Sequence, residues 1–249
     1  MSIVLVTGAT AGFGAAIARR FAAEGHTLIL AGRRGERLAA LASELGPKTL
    51  ALRLDVARRA EVQAAIAGLP AEFAAVDLLI NNAGLALGLE PAQRASLDDW
   101  EQMVDTNIKG LMYLTHALLP GMVARGRGHV INLGSTAGEW PYPGGNVYGG
   151  TKAFVRQFSL NLRADLVGTP VRVSNVEPGM CGGTEFSTVR FHGDAAKAAK
   201  VYENTLSLSA EDIAETVHWI ASLPSHMNVN TISLMPVSQG FGPLAVHRV

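Results

Sequence analysis

A single cysteine, Cys181, among 249 residues excludes an intramolecular disulfide and agrees with a reducing compartment. The seven histidines show neither HExxH nor paired Cys/His spacing, so no metal is expected. Only 17% of the chain is charged, and 21 Lys+Arg balance 21 Asp+Glu for a formal net charge of zero. That leaves no electrostatic footprint for a phosphate backbone or an anionic lipid surface, and neither nucleic acid nor membrane is an expected partner. No run of about 18 apolar residues exists to span a bilayer. The opening Met1-Ser2-Ile3-Val4-Leu5-Val6-Thr7-Gly8 lacks a basic n-region and has a short apolar run, so no signal peptide is expected there. The expected location is the cytoplasm.

What the chain has in quantity is apolar residues, 48% of the total, enough for a large core. Its length suits one α/β domain over 1–249. Short β-branched or leucine-rich runs alternate with amphipathic stretches. The strands are expected near Ser2 to Val6, Thr27 to Ala31, Thr49 to Leu54, Val76 to Asn81, His129 to Leu133, Val171 to Val176 and Thr231 to Met235. Their near-continuous apolar character suits burial on both faces, which predicts a doubly wound, seven-stranded, mostly parallel sheet with helices on both sides. Ile17, Ala18 and Phe21, then Leu38, Leu41 and Leu45, are spaced for one helix face each. Ser96 and Asp99 have capping-box spacing ahead of one long stripe from Trp100 through Met103, Val104, Leu111, Leu114 and Leu118 to Met122. Further helices are expected from Tyr148 to Leu166 and Ala210 to Ser222. The segment 179–209 breaks the βα rhythm and reads as an insertion of the lid or binding type.

The first strand runs into Thr7-Gly8-Ala9-Thr10-Ala11-Gly12-Phe13-Gly14 and then a helix. Glycines in that context let a backbone approach a pyrophosphate, whose charge then meets the positive end of the helix dipole. The Gly-x3-Gly-x-Gly spacing is equally available to a purely structural turn. About 20 residues on, where an NAD site carries an acid, stand Arg33 and Arg34, which suit a 2′-phosphate and therefore NADP. The other reading makes them solvated charges at a helix start. A second constellation, Asn81-Asn82-Ala83-Gly84, Asn107, Ser135, Tyr148 and Lys152, falls at the carboxyl ends of later strands, where open α/β sheets place ligands. Tyr148 and Lys152 are one turn apart on one helix face, and the ammonium is expected to draw the tyrosine pKa down toward a working range for acid/base chemistry.

In order, Thr7 to Gly14, Asp55, Asn81 to Gly84, Asn107, Ser135, Tyr148-x3-Lys152 and Pro178-Gly179 resemble the short-chain dehydrogenase/reductase superfamily, over the whole chain. The resemblance implies a Rossmann-like fold and NADP as cofactor. It implies a relay in which Tyr148 exchanges a proton with the substrate oxygen, Ser135 hydrogen-bonds that oxygen, Lys152 holds the nicotinamide ribose, and Asn107 positions a water leading to solvent. It also places Gly8, Thr10, Gly12, Phe13 and Gly14 on the diphosphate, and Asp55 and Val56 at the adenine. Asn82, Ala83 and Gly84 would line the nicotinamide side, with Pro178, Gly179, Thr184 and Phe186 over the carboxamide. The runs Gly134 to Tyr142, Gly144 to Tyr148 and Gly182 to Ser187 further resemble the NADP-dependent 3-hydroxy acid dehydrogenases, which act on L-serine, L-allo-threonine and related acids and reduce malonic semialdehyde.

Met180-Cys181 stands where bulkier aliphatic residues are expected, which bears on substrate size. A 3-hydroxy acid needs a partner for its carboxylate, and Arg190 is either that partner or a solvent-facing arginine. Trp140 and Tyr142 either line the substrate pocket or pack beneath the lid. Cys181 has no evident base and reads as a small apolar residue. The competing functions are a reductase of larger ketones, aldehydes or acyl-thioesters, and a non-catalytic NADP sensor, which would have no use for the relay. The resemblance also implies a homotetramer built on the helices around Trp100 to Met122 and Val147 to Leu166. The tail from Val237 to Val249 either packs locally or reaches a neighbour.

Overall fold

The computed structural model describes residues 1–242; the end of the tail, 243–249, lies outside the described residues. Seven strands, β1 (Ile3–Thr7), β2 (Thr27–Gly32), β3 (Thr49–Arg53), β4 (Leu78–Asn81), β5 (Gly128–Leu133), β6 (Val171–Pro178) and β7 (Thr231–Leu234), form one sheet in the order β3-β2-β1-β4-β5-β6-β7. All six pairings are parallel. The order reverses between β1 and β4, and the cleft opens there, beyond the carboxyl ends of the strands.

Alternation along the strands sends side chains to two cores. Val4 and Val6 join α1 (Gly12–Ala23), α2 (Gly35–Leu45) and α9 (Ala210–Ser222) through Ile17, Phe21, Leu38, Ile213 and Val217. Leu5 points the other way, toward α3 (Arg59–Ala67), α5 (Leu111–Ala124) and α6 (Asn146–Asp165), where Val62, Leu114, Met122 and Leu162 are buried. Truncating a residue buried as fully as Leu114 costs about 2–5 kcal/mol. Between β5 and β6, His129 is buried with its Nε2 2.9 Å from Ser174 Oγ, and burial pushes its pKa down to about 3.

Two sequence expectations need revision. The stripe from Trp100 to Met122 is not one α-helix. It comprises α4 (Leu97–Val104), a π-helical segment Asp105–Gly110, and α5. Only half of the expected capping box forms at its start: Ser96 Oγ accepts from Asp99 N at 3.3 Å, whereas the reciprocal pair is made at α9 by Ser209 and Asp212. The segment 179–209 has secondary structure of its own. It carries α7 (Phe186–Arg190) and α8 (Ala195–Lys200), and it is pinned at its base where Cys181 pairs with Leu208.

Candidate active site

The glycine turn after β1 is built by exclusion of side chains. Gly8 has a φ of +63°, and a Cβ on Gly14 would lie 2.3 Å from the carbonyl oxygen of Gly8. Neither position therefore tolerates a side chain, and the first turn of α1 comes close beneath the cleft. That turn has no acidic residue and no side-chain cap, which leaves its N–H groups and dipole available to an anion. Thr7 Oγ1 accepts from the backbone N–H groups of Asn82 (2.9 Å) and Ala83 (2.8 Å), and Asn82 Nδ2 donates to Thr7 O (2.8 Å). Asn82 thus ties β4 to the turn as well as lining the cleft.

The cleft has a volume of about 620 Å³ and is lined by Gly8, Thr10, Gly12 and Phe13 on one side and by Ser135, Tyr148 and Lys152 on the other. Arg33 and Arg34 stand at the rim, and Asp55, Val56, Ala83 and Gly84 complete the floor. Asp55 Oδ1 accepts from Ala57 N at 3.1 Å, which shapes the turn after β3. Gly14 itself supports the turn from beneath.

Ser135 follows β5 and its Oγ accepts from Ala137 N at 3.1 Å while donating to Pro178 O at 3.4 Å. Tyr148 lies in the first turn of α6 and is 8% exposed; Lys152 is 7% exposed. Lys152 Nζ donates to Leu133 O at 2.7 Å and sits 5.9 Å from the centroid of the Tyr148 ring. Gly84 makes the room: a Cβ there would lie 3.3 Å from Asn107 Oδ1 and 3.5 Å from Lys152 Nζ. The groups that draw the Tyr148 pKa down are Ser135 and Arg190, not the expected Lys152, and burial outweighs them. Burial raises Tyr148 to about 12, with Ser135 opposing, and lowers Lys152 to about 8. Both groups are driven toward their neutral forms, so the chain by itself holds Tyr148 as a phenol with a proton to give.

Asn107 lies in the π-helical segment, and its amide is spent on structure. Nδ2 donates to Leu85 O (2.8 Å) and Thr151 Oγ1 (3.0 Å), and Oδ1 accepts from Leu85 N (2.9 Å). It ties the segment after Gly84 to α6.

The end of β6 at Pro178 and the lid residues Gly179, Met180, Cys181, Thr184 and Phe186 line the cleft. Cys181 is buried and its thiol is pushed up to about 12 by that burial, which keeps it protonated. Arg190 turns inward: its guanidinium carbon is 5.1 Å from the Tyr148 ring centroid, 5.3 Å from that of Phe186 and 5.6 Å from that of Tyr142. Nη2 donates to the Tyr142 hydroxyl, and Nε is buried with no partner among the described residues. Trp140 is 38% exposed and packs on Phe241 with ring centroids 5.0 Å apart.

The sequence reading did not single out the lining residues Glu185, Gln239 and Phe241, nor Arg37, which stands behind the lining. Gln239 Oε1 accepts from Met180 N at 2.7 Å, and Phe241 closes a wall from the tail. Glu185 and Arg37 form an ion pair between lid and α2. Glu185 is flanked by the recognised Thr184 and Phe186, which was the available signal; nothing marked the tail residues. Among the described residues, no group of three or more His, Cys, Asp or Glu side chains could hold a metal, and no helix is long and apolar enough to cross a membrane.

A family model described as short chain dehydrogenase matches residues 2–194. The chain is 65% identical over 246 residues to the NADP-dependent 3-hydroxy acid dehydrogenase of Salmonella typhi, covering 99% of each. It is 52% identical over 245 residues to the serine 3-dehydrogenase of Rhizobium radiobacter, covering 98% of each. Its structure superposes with a TM-score of 0.98 on the closed form of a serine dehydrogenase complexed with NADP+, at 61% identity, with 99% of this chain and 100% of that one covered. The glycine turn, the Ser135, Tyr148 and Lys152 grouping and these full-length likenesses have one conclusion: the chain belongs to the short chain dehydrogenase family.

Proposed function

We propose that the chain is an NADP-dependent dehydrogenase of short 3-hydroxy acids, interconverting the 3-hydroxyl of substrates such as L-serine or L-allo-threonine with the carbonyl, and reducing malonic semialdehyde in the other direction. The observation that carries the substrate class is Arg190, held over the Tyr148 ring with a buried, unpartnered Nε. A cation so placed meets a substrate carboxylate while the hydroxyl one or two carbons away faces the tyrosine. The names of the relatives support the same class.

The glycine cradle and the uncapped start of α1 fit a dinucleotide diphosphate, with Arg33 and Arg34 for its 2′-phosphate. NADP, when bound, supplies or accepts the hydride. Asp55 and Val56 would hold the adenine end; Asn82, Ala83 and Gly84 would line the nicotinamide side, under Pro178, Gly179, Thr184 and Phe186. Tyr148 gives its hydroxyl proton to the carbonyl oxygen in reduction and takes it back in oxidation. Ser135 holds the same oxygen by a hydrogen bond as charge develops on it. Lys152 orients the ribose and lowers the cost of the phenolate once the proton has left. Trp140, Tyr142, Met180 and Cys181 shape and dry the substrate end. The whole chain acts as one domain with 179–209 as its lid.

The same reading gives a cytoplasmic homotetramer. Its interface would use the outer faces of α5 and α6, where Met112, Val123 and Leu160 are exposed and Phe154 stacks on Phe158 at 5.6 Å.

Initial rates of nicotinamide reduction with NADP or NAD against L-serine, D-serine, 3-hydroxyisobutyrate and a bulky secondary alcohol test the function. Turnover of the hydroxy acids with NADP, falling at least about a hundredfold in Tyr148→Phe, is expected. Turnover of the bulky alcohol alone would discard the substrate class. Arg190→Leu should raise KM for serine at least about tenfold while leaving KM for an uncharged alcohol nearly unchanged, the cost of one charge-assisted contact.

A further inference from the structure

At the adenosine end of the cleft the lid is fastened to the body by charge. Arg34 turns Nε (2.9 Å) and Nη2 (2.6 Å) to the Thr10 hydroxyl in the glycine turn, and Nη1 (2.7 Å) to Glu185 in the lid. Arg37, one turn along α2, gives Nη1 to the other oxygen of Glu185 at 2.7 Å. One carboxylate therefore bridges two guanidinium groups, which hold its pKa below the usual range, Arg37 most strongly. Thr184, next in the chain, lies against the glycine turn: a Cβ on Gly12 would be 3.3 Å from its side chain. The lid also meets the body beyond α7, where His192 Nε2 lies 3.1 Å from Asp99 Oδ2.

The charges at this corner are unequal. Arg33, Arg34 and Arg37 carry three positive charges and Glu185 removes one, which leaves two, close to the charge of a phosphate monoester near neutral pH. Arg34 commits three of its five N–H groups, one on each nitrogen, to Thr10 and Glu185 and keeps the second N–H of Nη1 and of Nη2 for a ligand. Arg37 gives Glu185 a counter-charge of its own, so the carboxylate and a 2′-phosphate can share Arg34 instead of competing for it. A phosphate on Arg34 also removes rotamer freedom that Glu185 would otherwise have to quench when the lid docks.

We infer that Glu185 is the latch of the lid and Arg37 a specificity-determining residue, which together make lid docking depend on the cofactor's 2′-phosphate. The lid thereby reads which nicotinamide cofactor is bound. This rests on the NADP reading above, and the experiment separates the two.

Limited trypsin digestion at Lys197 and Lys200 of the lid, with fragments identified by mass, is run on the protein alone and with saturating NADP+ or NAD+, beside calorimetric Kd values for both. The wild-type lid should be cut several-fold more slowly with NADP+ than with NAD+. Glu185→Gln should raise cutting of the ligand-free protein about threefold to tenfold, the size of two partly exposed ion pairs, and erase the difference between cofactors. Arg37→Gln should weaken NADP+ about threefold to tenfold and leave NAD+ within about twofold. A wild type that prefers NADP+, with a Glu185→Gln lid cut like the wild type or an Arg37→Gln protein weakened equally for both cofactors, overturns the latch alone. A wild type with no preference for NADP+ overturns the cofactor reading and the latch with it.

Discussion

Replacing Arg156 with methionine would strip the counter-charge from a carboxylate at 0% exposure. Glu177 is the penultimate residue of β6, and its carboxylate accepts from Arg156 Nη1 (2.8 Å) and Asn175 Nδ2 (2.7 Å). Arg156 lies one turn beyond Lys152 on α6 and also reaches Glu139 at 2.7 Å, just past Ser135. The ion pairs thus tie the end of β6 to α6, which carries Tyr148 and Lys152, and to the segment that follows Ser135. Breaking a buried pair costs about 3–5 kcal/mol, and because the Arg156 side chain is 32% exposed, about 2–3 kcal/mol is the fitting expectation. With a urea slope of about 3 kcal/mol per molar, the unfolding midpoint should fall by close to 1 M at fixed protein concentration.

The pH dependence of that loss follows from the direction of the Glu177 shift. Burial raises its pKa and Arg156 opposes the rise, so removing Arg156 drives it higher still. A raised carboxyl pKa means that the penalty for the ionised form is present above the folded pKa and is relieved as pH falls through it. The deficit of the variant should therefore be larger near about pH 8 than near about pH 5. Adding Glu177→Gln keeps the Asn175 hydrogen bond, removes the stranded charge and should restore much of the midpoint. A deficit that is equal at both pH values and unchanged in the double variant would refute the reasoning.

Two further perturbations are expected to read out cleanly. Gly14→Ala places a methyl group 2.3 Å from the Gly8 carbonyl oxygen and should lower stability by about 1–3 kcal/mol in urea melts, with cofactor binding lost in calorimetry. Lys152 has a folded pKa lowered to about 8 from 10.5, so the penalty of its buried charge is present in full below pH 8 and fades as pH rises toward 10.5. Lys152→Met should accordingly gain most over wild type in thermal melts at neutral pH, lose that relative advantage by pH 10.5, and have little turnover.

Strands and the glycine turn were legible because their signals are local. β-branched runs mark β1 and β6, and a glycine-only turn can be read from Gly8, Gly12 and Gly14 alone. The Tyr148 and Lys152 pair needed only a helical period. What could not be read depended on distant partners. The sign of the Tyr148 shift turns on how deeply α6 is buried, and the roles of Arg37 and Glu185 on two segments 148 residues apart meeting in space. Asn107 was recognised by position, but its hold on Leu85 depends on a helix defect that no periodicity announces, because the apolar stripe continues through it. α3 has a single fully buried apolar residue, Val62, and so little stripe to detect.

The π-helical segment at Asp105–Gly110 is a matter of phase as well as of shape. One residue beyond the α-helical count turns everything after it about 100° relative to everything before it. Met103, ahead of the segment, therefore packs with Leu85 and Tyr148 beneath the lid, whereas Leu114, Leu118 and Met122, after it, face the central sheet. A regular helix over the same residues could not serve both neighbours at once. Deleting one residue from this segment would give the chain a better helix and put its two halves out of step with the surfaces they meet. The irregular turn works as a coupling between two gears cut to different teeth, one for the core and one for the site.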